Sequence, residues 1–139
     1  MQVKEIMSNN VVVARLDSTV IEAAQKMSSL NVGALPVCDH GDMVAGIVTD
    51  RDLTIRALAE GRDGSSTLVR DVMTRDVVNC YDDQDVRDAI RLMEQHKLRR
   101  LVVLNRNSLQ LAGIVSLDDL ALSVGKEEAG GVLASAATK

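Results

Sequence analysis

The chain has 139 residues, 46% of them apolar and 26% charged, which is enough for one compact domain or two small repeats and excludes a large multidomain enzyme. One Tyr, no Phe and no Trp leave no aromatic platform on which a single-stranded nucleic-acid binder could stack bases. A formal net charge of −4 and a pI near 5.1 likewise provide no basic face for displacing counterions from a phosphate backbone.

In chain order, Met1 to Met7 carry neither the apolar run nor the cleavage site of a secretory signal, and no later stretch approaches the ~18 apolar residues of a membrane span. The reading is a cytoplasmic protein with no membrane association. Val11-Val12-Val13 is a β-branched run that suggests a strand. Thr19 with Glu22 three residues on forms a capping-box pattern, and Val20, Ala23, Ala24, Met27 and Leu30 continue it at helical spacing. Two short apolar runs follow, Ala34 to Cys38 and Val44 to Val48, separated by the turn composition Asp39-His40-Gly41-Asp42. A second helix starts near Asp50 and carries Leu53, Ile55, Ala57 and Leu58. The polar, glycine-rich stretch Glu60 to Ser66 reads as a linker.

Beyond that linker the chain repeats itself. A shift of 66 places lays Met7-Ser8 on Met73-Thr74, Val20 on Val86, Met27 on Met93 and Leu35 on Leu101. After one extra residue, Gly46-Ile47-Val48-Thr49 falls on Gly113-Ile114-Val115-Ser116, and Asp52-Leu53 on Asp119-Leu120. The second copy therefore predicts a strand at Val77-Val78, a helix from Asp85, with Asp88 completing its cap, to about His96, strands at 100–104 and 111–115, and a helix from Leu117. The expected fold is α/β: two βαββα repeats related by a pseudo-twofold and packed sheet to sheet, because a three-stranded sheet with both helices on one face leaves its other face apolar. The boundaries read as repeat 1 over 1–60, a linker over 61–68, repeat 2 over 69–124 and a flexible tail over 125–139.

These residues resemble the cystathionine β-synthase (CBS) domains, which occur in tandem pairs. The resemblance rests on Ile6-Met7 and Val72-Met73, on Gly33-Ala34-Leu35-Pro36-Val37, and on the motif Gly-hydrophobic-x-Thr/Ser-x-x-Asp that closes both copies. It implies a stand-alone, non-enzymatic CBS pair of the small bacterial type, some of which are associated with stress responses. It also implies a cleft between the repeats for an adenine nucleotide (AMP, ADP or ATP) or another adenosyl compound, with no cofactor required. Asp52 and Asp119 would each accept hydrogen bonds from the two ribose hydroxyls. Thr49 and Ser116 would set a hydroxyl and a helix N-terminus near phosphate, and Arg99 and Arg100 would hold the phosphates through their guanidinium forks. Ala34, Leu35, Ile47 and Ile114 would flank the adenine without an aromatic. Gly33-Ala34 stand where the second copy has Arg99-Arg100, so the two sites are expected to be unequal.

Plainer readings stand beside these. Asp52 and Asp119 suit a helix first turn, Thr49 and Ser116 suit N-caps, and the segment from Arg91 to Arg106 could be a solvated basic face or a contact for an acidic partner. Cys38 and Cys80 read as buried thiols; with His40 and His96 isolated in sequence, no metal site is expected. The partners expected are a nucleotide ligand, a second copy of the chain meeting apolar faces such as those of Met27 and Met93, and an unidentified regulated protein. The alternative function is a ligand-independent dimeric interaction module, with nucleic-acid binding a distant third.

Overall fold

In the computed structural model, which describes residues 1–132 and side chains through Lys126, the chain forms two compact units. The first unit is Val12–Val77; the second joins Met1–Val11 to the chain from Val78 onward. Each unit thus takes a short segment from the other sequence copy. The end of the expected tail, 133–139, lies outside the described residues.

The first unit contains β1 (Ala14–Arg15), α1 (Val20–Leu30), β2 (Ala34–Cys38), β3 (Val44–Thr49) and α2 (Asp50–Asp52), continued without a break by a π-helical stretch (Leu53–Leu58). The second contains β4 (Asn79–Tyr81), α3 (Val86–His96), β5 (Arg100–Leu104), β6 (Leu111–Ser116) and α4 (Leu117–Val132). Both sheets have the same plan. The first strand of each unit runs parallel to the second and the third antiparallel to it, with matching irregularities at Val37/Cys38 and Val103/Leu104. The mixed α/β reading of each copy is met.

The helix starts follow from the sequence. Thr19 Oγ1 accepts from the Glu22 N–H at 3.1 Å while Glu22 accepts from the Thr19 N–H at 2.8 Å, which closes the capping box. Those hydrogen bonds hold the Glu22 carboxyl below its usual range. The cap therefore contributes stability above the ordinary carboxylate pKa and loses it as the pH falls through the depressed value. At α3 Asp85 caps through the Arg87 N–H at 2.9 Å, but the expected box does not close, because Asp88 pairs instead with Arg91 one turn on.

Other expectations shift. The valine runs are not the strands. Ladder partners begin with Ala14 and Arg15, opposite Val37 and Cys38, and with Asn79 to Tyr81, opposite Val102 to Leu104, so β1 and β4 begin after Val11 to Val13 and Val77-Val78. β-Propensity reports a half-buried surface, not a partner. After α2, Ala57 is buried and Leu53 packs on the core, while Ile55 (48% exposed) and Leu58 (75%) face outward. In the other unit α4 carries on through Val132, past the point where the sequence periodicity fades.

Each unit has its own core. In the first, Leu35, Val37 and Val48 meet Ala23 and Met27 of α1, and in the second Leu101, Val103 and Val115 meet Ala89 and Met93 of α3. Met27 and Met93 are 6% and 0% exposed, so they are core residues and not faces left for a second copy. Because side chains alternate along a strand, Ala34, Ile47 and Thr49 take the sheet face opposite this core, as do Arg100, Ile114 and Ser116.

Asn31 and Lys97 end α1 and α3 in the left-handed region, at φ 54° and 57°. Asn adopts that conformation at a lower cost than Lys. Lys97→Asn is therefore expected to raise the unfolding free energy by about 1 kcal/mol, measured as a higher urea midpoint.

Candidate ligand site

The closing motif of each copy lies against the segment exchanged from the other. In the first unit the Ile47 N–H donates to the Thr74 carbonyl at 2.9 Å, and the Thr74 N–H returns a bond to the Ile47 carbonyl at 2.8 Å. In the second, Ser8 and Ile114 exchange the same pair at 2.9 and 3.1 Å. The preceding glycine makes this approach feasible. A Cβ on Gly46 would lie 2.6 Å from the Thr74 carbonyl oxygen, and one on Gly113 would lie 2.6 Å from that of Ser8.

At the end of β3, Thr49 is the N-cap of α2. Its Oγ1 accepts from the Asp52 N–H at 3.0 Å, and Asp52 Oδ2 accepts from the Thr49 N–H at 3.0 Å. The Asp52 carboxylate is further engaged by the Thr74 hydroxyl at 3.3 Å and by Arg56 Nε at 3.8 Å, and the residue is only 7% exposed. Arg56 also donates to the Val72 and Met73 carbonyls, at 3.4 and 3.0 Å. Asp52 is thus the centre of a clasp that fastens the 72–74 segment to α2. Ala34 lies opposite Thr49, and the Asp50 N–H donates to the Gly33 carbonyl at 2.9 Å. Leu35 points into the core at 2% exposure and cannot flank an adenine; strand alternation carries it away from Ile47.

The second unit repeats the backbone but not the clasp. Ser116 Oγ accepts from the Asp119 N–H at 3.1 Å, and the Leu117 N–H donates to the Arg99 carbonyl at 2.8 Å. The Asp119 carboxylate, however, is exposed and has no hydrogen bond or ion pair among the described residues. Ser123 stands where the first copy has Arg56. Arg100 is the cross-strand partner of Ser116, is exposed, and also has no partner among the described residues. Arg99 Nη2 meets Asp118 Oδ1 at 2.7 Å, with both side chains largely exposed. Such a pair contributes little and is easily given up. One free carboxylate, one free guanidinium, a hydroxyl and a helix N-terminus therefore share one rim.

Thr74 and Arg56, which lock Asp52, were not singled out from the sequence. The shift that lays Ser8 on Thr74 shows both as repeated positions without saying which strand each would meet. Of the remaining basic segment, Arg106 is held by a fork onto Asp83, at 2.8 Å for both Nε–Oδ2 and Nη2–Oδ1, and its guanidinium lies 4.4 Å from the centre of the Tyr81 ring.

Burial pushes the Cys38 and Cys80 thiols up to about 11. Since the thiolate is the reactive form, neither is expected to react with a thiol reagent at pH 7 until the protein unfolds, and a stopped-flow assay with and without denaturant checks this. No group of three or more His, Cys, Asp or Glu among the described residues is placed to hold a metal ion, and no helix among them is long and apolar enough to cross a membrane.

Comparison with known proteins agrees with this architecture. The CBS-domain family matches residues 3–58 and 69–126. The chain is 41% identical over 132 residues to the CBS domain-containing protein YhcV of Bacillus subtilis, covering 94% of this chain and 91% of that one. It is 34% identical over 119 residues to Hypoxic response protein 1 of Mycobacterium tuberculosis, covering 85% and 81%. The structure of Hypoxic Response Protein I with two coordinated zinc ions superposes with a TM-score of 0.80 at 30% identity, over 88% of this chain and 98% of that one. The CBS domain pair of protein MJ0100, in complex with 5-methylthioadenosine and S-adenosyl-L-methionine, gives 0.78 at 25% identity, over 91% and 98%. CBSX2 in complex with AMP gives 0.76 at 26%, over 91% and 98%. With two matched copies that span most of its length, the chain belongs to the CBS-domain family.

Proposed function

We propose that this protein is a non-enzymatic regulatory module that binds an adenine nucleotide or a related adenosyl compound, with the rim at Ser116, Asp119, Arg99 and Arg100 as its principal site. The observation that carries this reading is the pair of unengaged groups there, the Asp119 carboxylate and the Arg100 guanidinium. Asp119 would accept from both hydroxyls of the ribose. Ser116 and the first N–H groups of α4 would face the phosphate, with Arg100 and Arg99 supplying charge. Ile114, on the same sheet face, would contact the base.

The matching rim at Ala34, Ile47, Thr49 and Asp52 is a weaker site in this reading, because a ribose there competes with Thr74 and Arg56 for Asp52. The relatives with bound AMP, S-adenosyl-L-methionine and 5-methylthioadenosine support the ligand class. A thermal-shift screen of AMP, ADP, ATP, S-adenosyl-L-methionine and 5-methylthioadenosine tests it. A ligand at 100 times its dissociation constant adds about 2.7 kcal/mol of stability; no shift with any of them at millimolar concentration refutes the reading.

A second copy of the chain remains the proposed protein partner, but through other residues than Met27 and Met93. Ile55 and Leu122 occupy matching places in the two copies and are 48% and 58% exposed, with Leu58, three residues after Ile55, at 75%. Leu58→Glu is expected to convert a dimer to a monomer by light scattering while the circular-dichroism spectrum stays that of the wild type.

A further inference from the structure

A pocket of about 130 Å³ opens in the first unit beyond the ends of β1 and β2, at the end of β2 away from Ala34 and Thr49. Arg15, Asp17, Cys38, Asp39, His40 and Arg70 line it. The second unit carries different chemistry at the matching place. There the residues 66 positions later are Tyr81 for Arg15, Asp83 for Asp17 and Arg106 for His40, and they form the Arg106–Asp83 fork stacked on Tyr81. In the first unit no such fork exists, and the side chains of Asp17, His40 and Arg70 have no partner among the described residues.

The other charges at the pocket are already committed. Arg15 Nη1 donates to the Asp39 carbonyl at 2.7 Å and to Asp42 Oδ1 at 3.2 Å, which fixes its guanidinium at the rim. Asp39 Oδ1 accepts from the Gly41 and Met43 N–H groups at 2.9 and 3.1 Å. What is left over is a set of donors, from Arg70, His40 and the remaining N–H groups of Arg15, facing a single free acceptor, Asp17.

We propose that this pocket binds inorganic phosphate, a tetrahedral oxyanion that carries its own proton. The guanidinium groups of Arg15 and Arg70 and a ring N–H of His40 meet its oxygens, and Asp17 accepts from its P–OH. Sulfate, which has no proton at neutral pH, would leave Asp17 facing a like charge. The volume suits one small ion with a few waters.

The test is an amide NMR titration with sodium phosphate and, separately, sodium sulfate at constant ionic strength. Phosphate is expected to shift Leu16, Cys38 and His40 saturably and to bind more tightly than sulfate. Arg70→Gln should weaken phosphate at least about tenfold, and Asp17→Asn should narrow the preference over sulfate. Arg70 and Asp17 are exposed, so both variants keep the wild-type unfolding midpoint. Any of four results overturns the proposal: no saturation, sulfate binding as tightly as phosphate, unchanged affinity in Arg70→Gln, or shifts confined to residues 116–119.

Discussion

Gly113→Ala is expected to lower the unfolding free energy by about 1–3 kcal/mol, the range for overfilling a packed site, and Gly46→Ala to do the same through the first unit. The added methyl would lie 2.6 Å from the carbonyl oxygen of Ser8 and 2.8 Å from Met7 Sδ. A methionine end can swing away; the Ser8 carbonyl cannot, because it accepts from the Ile114 N–H at 3.1 Å while Ser8 donates back at 2.9 Å. The segment must detach or β6 must bend. Gly125 is the control. It lies within α4 with nothing inside 4 Å of its would-be Cβ, so Gly125→Ala should gain about 0.5–1 kcal/mol from helix propensity. Urea unfolding of the three variants separates these cases, and a wild-type midpoint for Gly113→Ala would contradict the close approach.

The second large effect is a division of labour between two aspartates at matching positions. Asp52→Ala should cost about 2–4 kcal/mol of stability, since it opens the cap and leaves the Thr49 N–H and the Arg56 guanidinium without their buried acceptor. Asp119→Ala should leave the unfolding midpoint almost unchanged and instead cost about 1.5–3 kcal/mol of adenosyl-ligand affinity, or roughly 10- to 150-fold. Chemical unfolding and calorimetry on the two variants give four numbers. Equal losses of stability in both would mean that Asp119 is engaged after all.

The contrast between these aspartates marks how far the sequence could be read. The repeat was legible because matched residues at a constant shift need no partner to be seen. Thr19 and Glu22, and the strands from Ala34 and Arg100, were legible because caps and short apolar runs bounded by turn residues are local. The start of β1 was not, since Ala14 becomes a strand residue only through Val37, which lies beyond α1. Nor was the clasp: Asp52 and Asp119 stand in the same motif, and their difference arises because Thr74 and Arg56 engage Asp52, whereas Ser8 and Ser123 at the matching places make no bond to the Asp119 carboxylate among the described residues. Leu35 was misplaced for a simpler reason, namely that its neighbours Ala34 and Pro36, not Leu35 itself, share the face of Ile47. The exposure of the apolar Ile55 and Leu122 is not legible either, because helical spacing over so short a run does not say which side meets the core.

The free guanidinium at the start of β5 and the free carboxylate at the start of α4 together make the central claim, and one measurement bears on both. Calorimetric titration of AMP into wild type, Arg100→Gln and Asp119→Ala should give saturable binding to wild type and at least about a tenfold loss in each variant. Equal affinity in all three would contradict the account, as would the absence of binding to wild type by AMP, ADP, ATP, S-adenosyl-L-methionine and 5-methylthioadenosine alike.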